Sequence, residues 1–211
     1  VVTSGPSVER IDPVRFLSNF SSGTQGYEIA KALSEAGAKT TLISGPTKLR
    51  KPDNVILKNV LTGEEFLQSS LKTLPADIFV SVAAISDWRL KNFSVNKIKK
   101  SKKKLNLNFE ENPDTLQIIS SCNQRPRLVI GFSAETKNLI ENSKKKLLKK
   151  KCDWMVANDV SDGKVFNSNR NKVFILKKKQ VVELPKTTKK NIAERLVREI
   201  YKDFKKSKII L

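Results

Sequence analysis

The amino-acid sequence predicts an α/β fold with a doubly wound, mostly parallel sheet, and three observations carry the prediction. Stretches of strand length alternate with stretches of helical periodicity along most of the chain. Two of the strand-like stretches, residues 77–85 (DIFVSVAAI) and 127–135 (RLVIGFSAE), are nearly all apolar, as parallel strands buried on both faces must be. Segments able to meet a ligand fall at the strand ends, at 19–26, 83–87, 132–136 and 158–159, and doubly wound sheets bind ligands outside the carboxyl ends of their strands.

The elements follow in order. Residues 1–5 (VVTSG) read as the first strand, and a helix near residues 22–36 carries Ile29, Ala32 and Leu33 at helical spacing. Residues 39–45 (KTTLISG) form a second strand, stopped by Gly45-Pro46. Residues 55–61 (VILKNVL) form a third, and 62–74 (TGEEFLQSSLKTL) supply a capping signal and a helix. Strands at 77–85 and 127–135 are the fourth and fifth, a Lys-rich helix follows, and 153–159 (DWMVAND) are a short sixth. Residues 172–185 read as a β-hairpin, centred on about 172–184, and 188–204 (TKKNIAERLVREIYKDF) as a closing amphipathic helix. These repeated β-α-β units make a Rossmann-like sheet with an appended hairpin, within a single domain spanning residues 1–211. Only 91–115 break the alternation: the segment is long and polar, with weak strand patterning in 104–109 (KLNLNF). It reads as a flap over about 91–112, and its lysines read equally well as a solvated surface run.

Composition limits the chemistry. The chain contains no histidine, which removes Ser-His-Asp and Cys-His nucleophilic catalysis and His-ligated zinc or haem. Its two cysteines, Cys122 and Cys152, form no C-x-x-C pair and no disulfide framework, in keeping with a reducing compartment. No apolar run approaches the ~18 residues that span a bilayer, and no signal peptide is visible, so the expectation is a cytoplasmic protein without a membrane partner. The abrupt opening on a strand reads as a segment of something longer. Lys and Arg outnumber Asp and Glu by 41 to 21, a formal net charge of +20. Such a balance favours polyanions. No helix-turn-helix, RRM or zinc motif accompanies it, so a basic surface that attracts phosphorylated metabolites is preferred to a nucleic-acid interface.

Individual motifs each have two readings. Residues 19–26 (NFSSGTQG) offer free backbone N–H groups and a helix dipole to an anion, or are an ordinary capped helix. The glycines do not match G-x-G-x-x-G, and no G-x-x-x-x-G-K-[ST] occurs. Asp87, at a strand end, offers a carboxylate to Mg²⁺ or caps a turn. Lys146 and Lys150 share one helix face, either as ligands or as solvated charges. Residues 111–115 (ENPDT) are a turn signature.

Taken together and in register, DPVRFLSNFSSGTQG, VSVAAISDWR, VNKIKK, ENPDTL, GFSAET and VANDVS…FNSN are more specific. The chain resembles bacterial phosphopantothenate–cysteine ligase, also called phosphopantothenoylcysteine synthetase, over essentially its whole length. In many bacteria this is the C-terminal half of a bifunctional coenzyme A biosynthesis protein. The resemblance implies a CTP-dependent ligase. The carboxylate of phosphopantothenate attacks the α-phosphate of CTP to release pyrophosphate, and the cysteine amine then displaces CMP from the acyl-cytidylate. Such chemistry needs no histidine, because a carboxylate is already ionised at neutral pH and nucleotidyl transfer rests on positioning and charge neutralisation.

The resemblance also implies roles. Asn19 holds the acyl-cytidylate and phosphopantothenoyl portion; Ser22 and Gly23 contribute to a phosphate cradle. Ser81, Val82 and Ala83 form a CTP-binding strand end, with Asp87 near the triphosphate and its Mg²⁺. Lys97 is a flap lysine that closes over the reacting centre. Pro113, Asp114, Thr115, Leu116 and Phe132 make further CTP contacts, and Lys146 and Lys150 bind the nucleotide. Thr115 stands where the family often has an aliphatic residue, Phe20 where a basic residue often follows the Asn, and Trp88 where Tyr is commoner. The family's bacterial members work as homodimers, with fusion to or association with an FMN-dependent phosphopantothenoylcysteine decarboxylase. The alternatives are an NAD(P)- or flavin-linked oxidoreductase, which wants a fuller glycine fingerprint and an acid ending the second strand, and a basic nucleic-acid-binding module.

Overall fold

A computed structural model describes residues 1–100, 104–160 and 168–208. The chain enters through β1 (Val2–Ser4), makes a small hairpin of β2 (Val8–Arg10) and β3 (Phe16–Ser18), and turns into α1 (Thr24–Glu35). Next come β4 (Thr40–Ser44), β5 (Val55–Asn59), α2 (Gly63–Leu71) and β6 (Ile78–Ser81). A second small hairpin, β7 (Trp88–Leu90) with β8 (Phe109–Glu111), precedes α3 (Thr115–Ser121). The chain then runs through β9 (Leu128–Glu135), α4 (Leu139–Lys150), β10 (Trp154–Asp159), β11 (Arg170–Lys177), β12 (Gln180–Thr188) and α5 (Lys189–Lys208).

Among the described residues, the main sheet runs β12-β11-β10-β9-β6-β1-β4-β5. The six strands from β10 to β5 are mutually parallel, while β11 and β12 add an antiparallel edge. Counted along the chain, the parallel strands stand in the order 3-2-1-4-5-6, the doubly wound arrangement whose order reverses between the first and fourth strands. That reversal falls between β1 and β6. Just beyond their ends Ala84 N–H donates to Gly5 O (2.9 Å) and Ser7 N–H to Ala84 O (3.1 Å), which fixes the two strand exits side by side.

Strand alternation divides the core into two layers. Val2, Val80, Ile130, Trp154, Val156, Val173 and Ile175 pack with α1 and α5, through residues such as Ile29, Leu33, Ile192 and Leu196. Phe79, Val129, Met155, Ala157 and Leu176 face the other way, against Leu116 and Ile119 of α3 and Leu147 of α4. The α1 layer depends on Gly26. A Cβ there would lie 2.5 Å from Ser4 Cβ and 3.1 Å from Thr3 O, so only glycine lets the first turn of α1 press onto β1. Helix α2 starts as its sequence signals: Thr62 Oγ1 accepts from Glu65 N–H (3.2 Å), and Glu65 Oε2 accepts from Leu61 N–H (2.6 Å).

The fold agrees with the expected sheet and appended hairpin, and it adds three elements that the pattern reading left as loop or turn. The β2–β3 and β7–β8 hairpins have strands of three residues each, too short for a two-residue period to register. Residues 113–116 open α3 rather than forming a simple turn: Asp114 is its N-cap, with Oδ1 accepting from Gln117 N–H (3.0 Å). β9 and β10 end at Glu135 and Asp159, the bounds expected from the sequence, with Phe132, Asn158 and Asp159 inside them. Of the 91–112 segment, 101–103 lie outside the described residues, as do 161–167 before the FNSN motif ends.

Candidate active site at the strand-order reversal

Two clefts open along the carboxyl ends of the parallel strands, one on each side of the sheet. The larger encloses about 830 Å³ on the α3–α4 side, lined by Ser81, Asp87, residues 111–118, Phe132, Lys146 and Lys150 among others. The smaller, about 140 Å³, lies on the α1–α5 side and is lined by Ser22, Gly23, Gln25, Val82, Phe132 and Lys189 among others. Phe132 belongs to both walls, so the clefts are neighbours across the ends of β6 and β9.

The larger cleft gathers most of the residues expected to contact nucleotide. Ser81, Asp87, Pro113, Asp114, Thr115, Leu116, Phe132, Lys146 and Lys150 come from β6, the loop after it, α3, β9 and α4. The two lysines are held in place by acids. Lys146 Nζ pairs with Glu135 (2.8 Å), and Lys150 Nζ with the second oxygen of the α3 cap, Asp114. Burial lowers the Lys150 pKa, and the nearby Asp87 charge partly offsets that. Thr115 is buried, and among the described residues neither its Oγ1 nor the buried Oδ1 of Asn112 in the same wall has a hydrogen-bond partner. Polar atoms buried without a partner in a cleft wall are what a bound polar ligand would satisfy.

Among the described residues, no three carboxylate or thiol side chains converge into a cation cage. Mg²⁺ seldom uses one, because it keeps several waters and binds through one or two carboxylates together with substrate phosphates. Asp87 stands exposed in the cleft, while Asp114 is taken up by its cap and by Lys150, so the donor set fits a cation shared with a phosphorylated ligand through Asp87.

The smaller cleft is built on the start of α1. Gly23, the N-cap, adopts φ 78°, a left-handed conformation, and its carbonyl accepts from Ser4 Oγ–H (2.7 Å). The helix N-terminus thus faces the cleft, with Ser22 and Gly23 in its wall. Asn19, Ala83 and Lys97 line neither cleft. Asn19 Nδ2 donates to Ala84 O (2.9 Å), which sets it at the β1–β6 junction. Lys97 is exposed, on a stretch tied to the β2–β3 hairpin through its neighbour. Ile98 N–H donates to Asp12 Oδ2 (3.1 Å), Arg15 Nη2 to Ile98 O (2.6 Å), and Ser94 N–H to Ile11 O (3.0 Å).

Residues 1–204 match the family described as the DNA/pantothenate metabolism flavoprotein C-terminal domain. The chain belongs to that family. It is 38% identical over 207 residues to the coenzyme A biosynthesis bifunctional protein CoaBC of Haemophilus influenzae, covering 98% of this chain and 52% of the relative. Among solved structures it resembles the C-terminal domain of a CoaBC, at TM-score 0.81 and 34% identity over 97% of this chain and 94% of that one. Cab2, in a mutant complexed with phosphopantothenate-cysteine, shares the fold at TM-score 0.78 and 18% identity, over 97% of this chain and 85% of Cab2. The chain spans about half the length of the curated relatives it matches.

Within this flavoprotein C-terminal-domain fold, some cleft residues carried no signal in the sequence. Lys189 is one lysine among many, and only its position as the first residue of α5, packed on α1, places it in a cleft. Asn171 is similarly unremarked in sequence, and Gln25 appears there only as part of the 19–26 stretch; Gln25 Nε2 donates to Lys189 O (3.1 Å) and Asn171 Nδ2 to Asn158 Oδ1 (3.1 Å) across the same wall. Asp12, in DPVR, proves to be a buried clamp that takes five donor contacts from Val14, Arg15 and Ile98.

Proposed function

We propose that this chain is a phosphopantothenate–cysteine ligase of coenzyme A biosynthesis, using CTP. The observation that carries the reading is the larger cleft, where residues from five separate segments, all expected to contact nucleotide, meet in one place. Its relatives' printed role in coenzyme A biosynthesis, and the phosphopantothenate-cysteine bound by a protein of the same fold, support the choice of substrates. In the first step a carboxylate oxygen of phosphopantothenate bonds to the α-phosphorus of CTP and the bond to pyrophosphate breaks. In the second the cysteine nitrogen bonds to the acyl carbon, CMP leaves with the shared oxygen, and the amine loses a proton.

The proposed roles are those that the family resemblance implies, and the larger cleft supports the nucleotide-binding part of them. Lys146 and Lys150 supply positive charge to the nucleotide, and because both are already paired, binding exchanges one acidic partner for another. Asp87 would hold Mg²⁺ together with phosphate oxygens, and the ion would neutralise charge on the polyphosphate. Ser81, Val82 and Ala83 present the β6 end, while Pro113 through Leu116 and Phe132 form the nucleotide wall. Asn19, bonded to Ala84 O at the β1–β6 junction, is suited to a neutral hydrogen bond with the acyl-phosphate. Lys97 rides on the 91–112 flap, whose root is fixed by Asp12 and Arg15.

Two copies are proposed to pair as a homodimer through the β2–β3 hairpin and the chain bonded to it. Val14, Phe16, Phe20 (88% exposed), Phe93 and Val95 leave a cluster of large apolar side chains in solvent there. The setting is cytoplasmic, with fusion to or association with an FMN-dependent decarboxylase in line with the bifunctional relatives. Among the described residues no helix is long and apolar enough to cross a membrane.

The test is pyrophosphate release from CTP and phosphopantothenate, with and without cysteine, repeated with ATP. The reading expects release with CTP and product formation only when cysteine is present. No release with either nucleotide would refute it.

A further inference from the structure

Asp87, the carboxylate that the ligase reading gives to Mg²⁺, stands exposed on the loop between β6 and β7, so its aim depends on the backbone that carries it. That backbone is held from several sides. Ser86 N–H donates to Ser7 Oγ (3.0 Å). Ser86 Oγ–H donates to Trp88 O (2.7 Å) and accepts from Trp88 N–H (3.3 Å), which closes a tight turn with Asp87 at its apex. The two remaining carbonyls both accept from Asn112, which lies between β8 and α3: its Nδ2 donates to Ser86 O (2.9 Å) and its backbone N–H to Asp87 O (2.8 Å).

The backbone bond continues the β7–β8 ladder, in which Trp88 pairs with Glu111, and any residue but proline could make it. The side-chain bond is what asparagine adds. Ser86 O can only accept, so the Nδ2 bond fixes which way the amide points, and Oδ1 is left buried with no partner among the described residues. An unpaired buried acceptor costs stability, and an apolar side chain of the same shape would remove that cost. Gly63, in the first turn of α2, presses on the same amide. A Cβ there would lie 3.0 Å from Asn112 Cγ and 3.1 Å from Nδ2, so the helix lies close against the amide and keeps it from swinging off Ser86. Gly63 is fixed in turn, its N–H donating to the buried carboxylate of Glu9 (Oε1, 2.8 Å). A fold that tolerates an unpaired acceptor and leaves a helix position bare to hold one amide on the Asp87 loop keeps that amide for position rather than for stability.

We propose that Asn112 is a positioning residue for Asp87: by holding Ser86 O and Asp87 O it fixes the peptide that aims the carboxylate into the nucleotide cleft. What Asp87 then holds, a Mg²⁺ shared with nucleotide phosphates, rests on the ligase reading. Asn112 acts through Asp87 and transfers no proton. Partners that orient a metal-binding carboxylate typically change metal affinity or activity by roughly 10- to 100-fold when removed.

Asn112→Leu keeps the approximate volume and the backbone bond and removes the side-chain donor. Without any ligand, hydrogen exchange followed by mass spectrometry should quicken in the peptide covering residues 84–90. Calorimetric titration with CTP should show affinity in Mg²⁺ weakened roughly 10- to 100-fold, and affinity in EDTA unchanged. In turnover the Mg²⁺ concentration for half-maximal pyrophosphate release should rise by a similar factor, with most of the loss recovered at saturating Mg²⁺. In an Asp87→Asn background Asn112→Leu should add little to the loss, whereas a merely structural role would add its full effect. Exchange at 84–90 equal to wild type, a Mg²⁺ dependence equal to wild type, or additive losses in the Asp87→Asn background each overturn the proposal and leave the ligase reading standing. If wild type releases no pyrophosphate from CTP or ATP, the ligase reading falls, and exchange rates with the Mg²⁺ effect on CTP affinity still decide the role of Asn112; no Mg²⁺ effect on the wild-type affinity overturns it. Should Asn112→Leu fail to fold, Asn112→Ala, which removes the donor without pressing on Gly63, takes its place in the same measurements.

Discussion

Gly26→Ala tests how tightly the start of α1 is bound to the strand beneath it. The new Cβ would stand 2.5 Å from Ser4 Cβ, where ordinary carbon contacts sit about 3.5–4.0 Å apart, so helix and strand must separate by about 1 Å. Ser4 is buried, with its hydroxyl held by Gly23 O, so no flexible side-chain end can move aside. Overpacking of this kind costs ~1–3 kcal/mol. Alanine's better helix propensity returns ~1 kcal/mol. The net loss is ~0–2 kcal/mol, a fall in Tm of at most about 8 °C for a chain of this size. Function should suffer more, because a shift of about 1 Å in a positioned group costs on the order of a hundredfold in rate. The assay pairs thermal unfolding with steady-state pyrophosphate release from CTP and phosphopantothenate. A variant that keeps both its Tm and its turnover within twofold of wild type would refute the close-packing argument. A variant whose activity falls only in proportion to its unfolded fraction would refute the positional one.

Three further outcomes are expected. Burial pushes the Asp12 carboxyl up, but the backbone N–H of Val14, the Arg15 guanidinium and the N–H groups of Arg15 and Ile98 outweigh that and hold it well below the usual carboxylate range. Its stabilisation is therefore present above the unfolded value near ~3.9 and is lost as pH falls below it, so Asp12→Asn should flatten the acid side of a urea-midpoint against pH curve; an unchanged curve counts against the clamp. Phe66, fully buried between α2 and the sheet, should cost ~3–5 kcal/mol as Phe66→Ala, read from urea unfolding, and a cost under 1 kcal/mol would mean the site collapses freely. Burial pushes the Cys152 thiol up to about 11, whereas Cys122 is partly exposed, so iodoacetamide at pH 8 should label Cys122 first, with mass spectrometry locating the adduct.

Much of the larger cleft was legible because its residues lie at the ends of strands with strong apolar patterns. Ser81 and Phe132 lie within the two most continuous apolar runs, and Lys146 and Lys150 share a helix face set by four-residue spacing. The meeting of those segments is a consequence of strand order, which puts β6 beside β9. Thr115 shows where the linear reading stops. In sequence it is the last residue of a turn signature; in the fold it is a buried helix residue in the cleft wall whose hydroxyl has no partner among the described residues.

The amino-acid sequence by itself determined the alternation of strands and helices, the two-sided burial of the central strands, the exclusion of histidine chemistry and the glycine-marked start of α1. Each is a local property: side-chain periodicity, composition, or the backbone freedom of one residue. Only the tertiary structure decided that Asp12 would clamp the chain beside Lys97, 86 residues from its own N–H donor Ile98, and that Lys189 would be buried beside Gln25, 164 residues away. A long-range contact leaves no period in the sequence. Whether a lysine faces solvent or a cleft is settled by the packing of α5 on α1, and among so many lysines one buried ammonium is visible only in three dimensions.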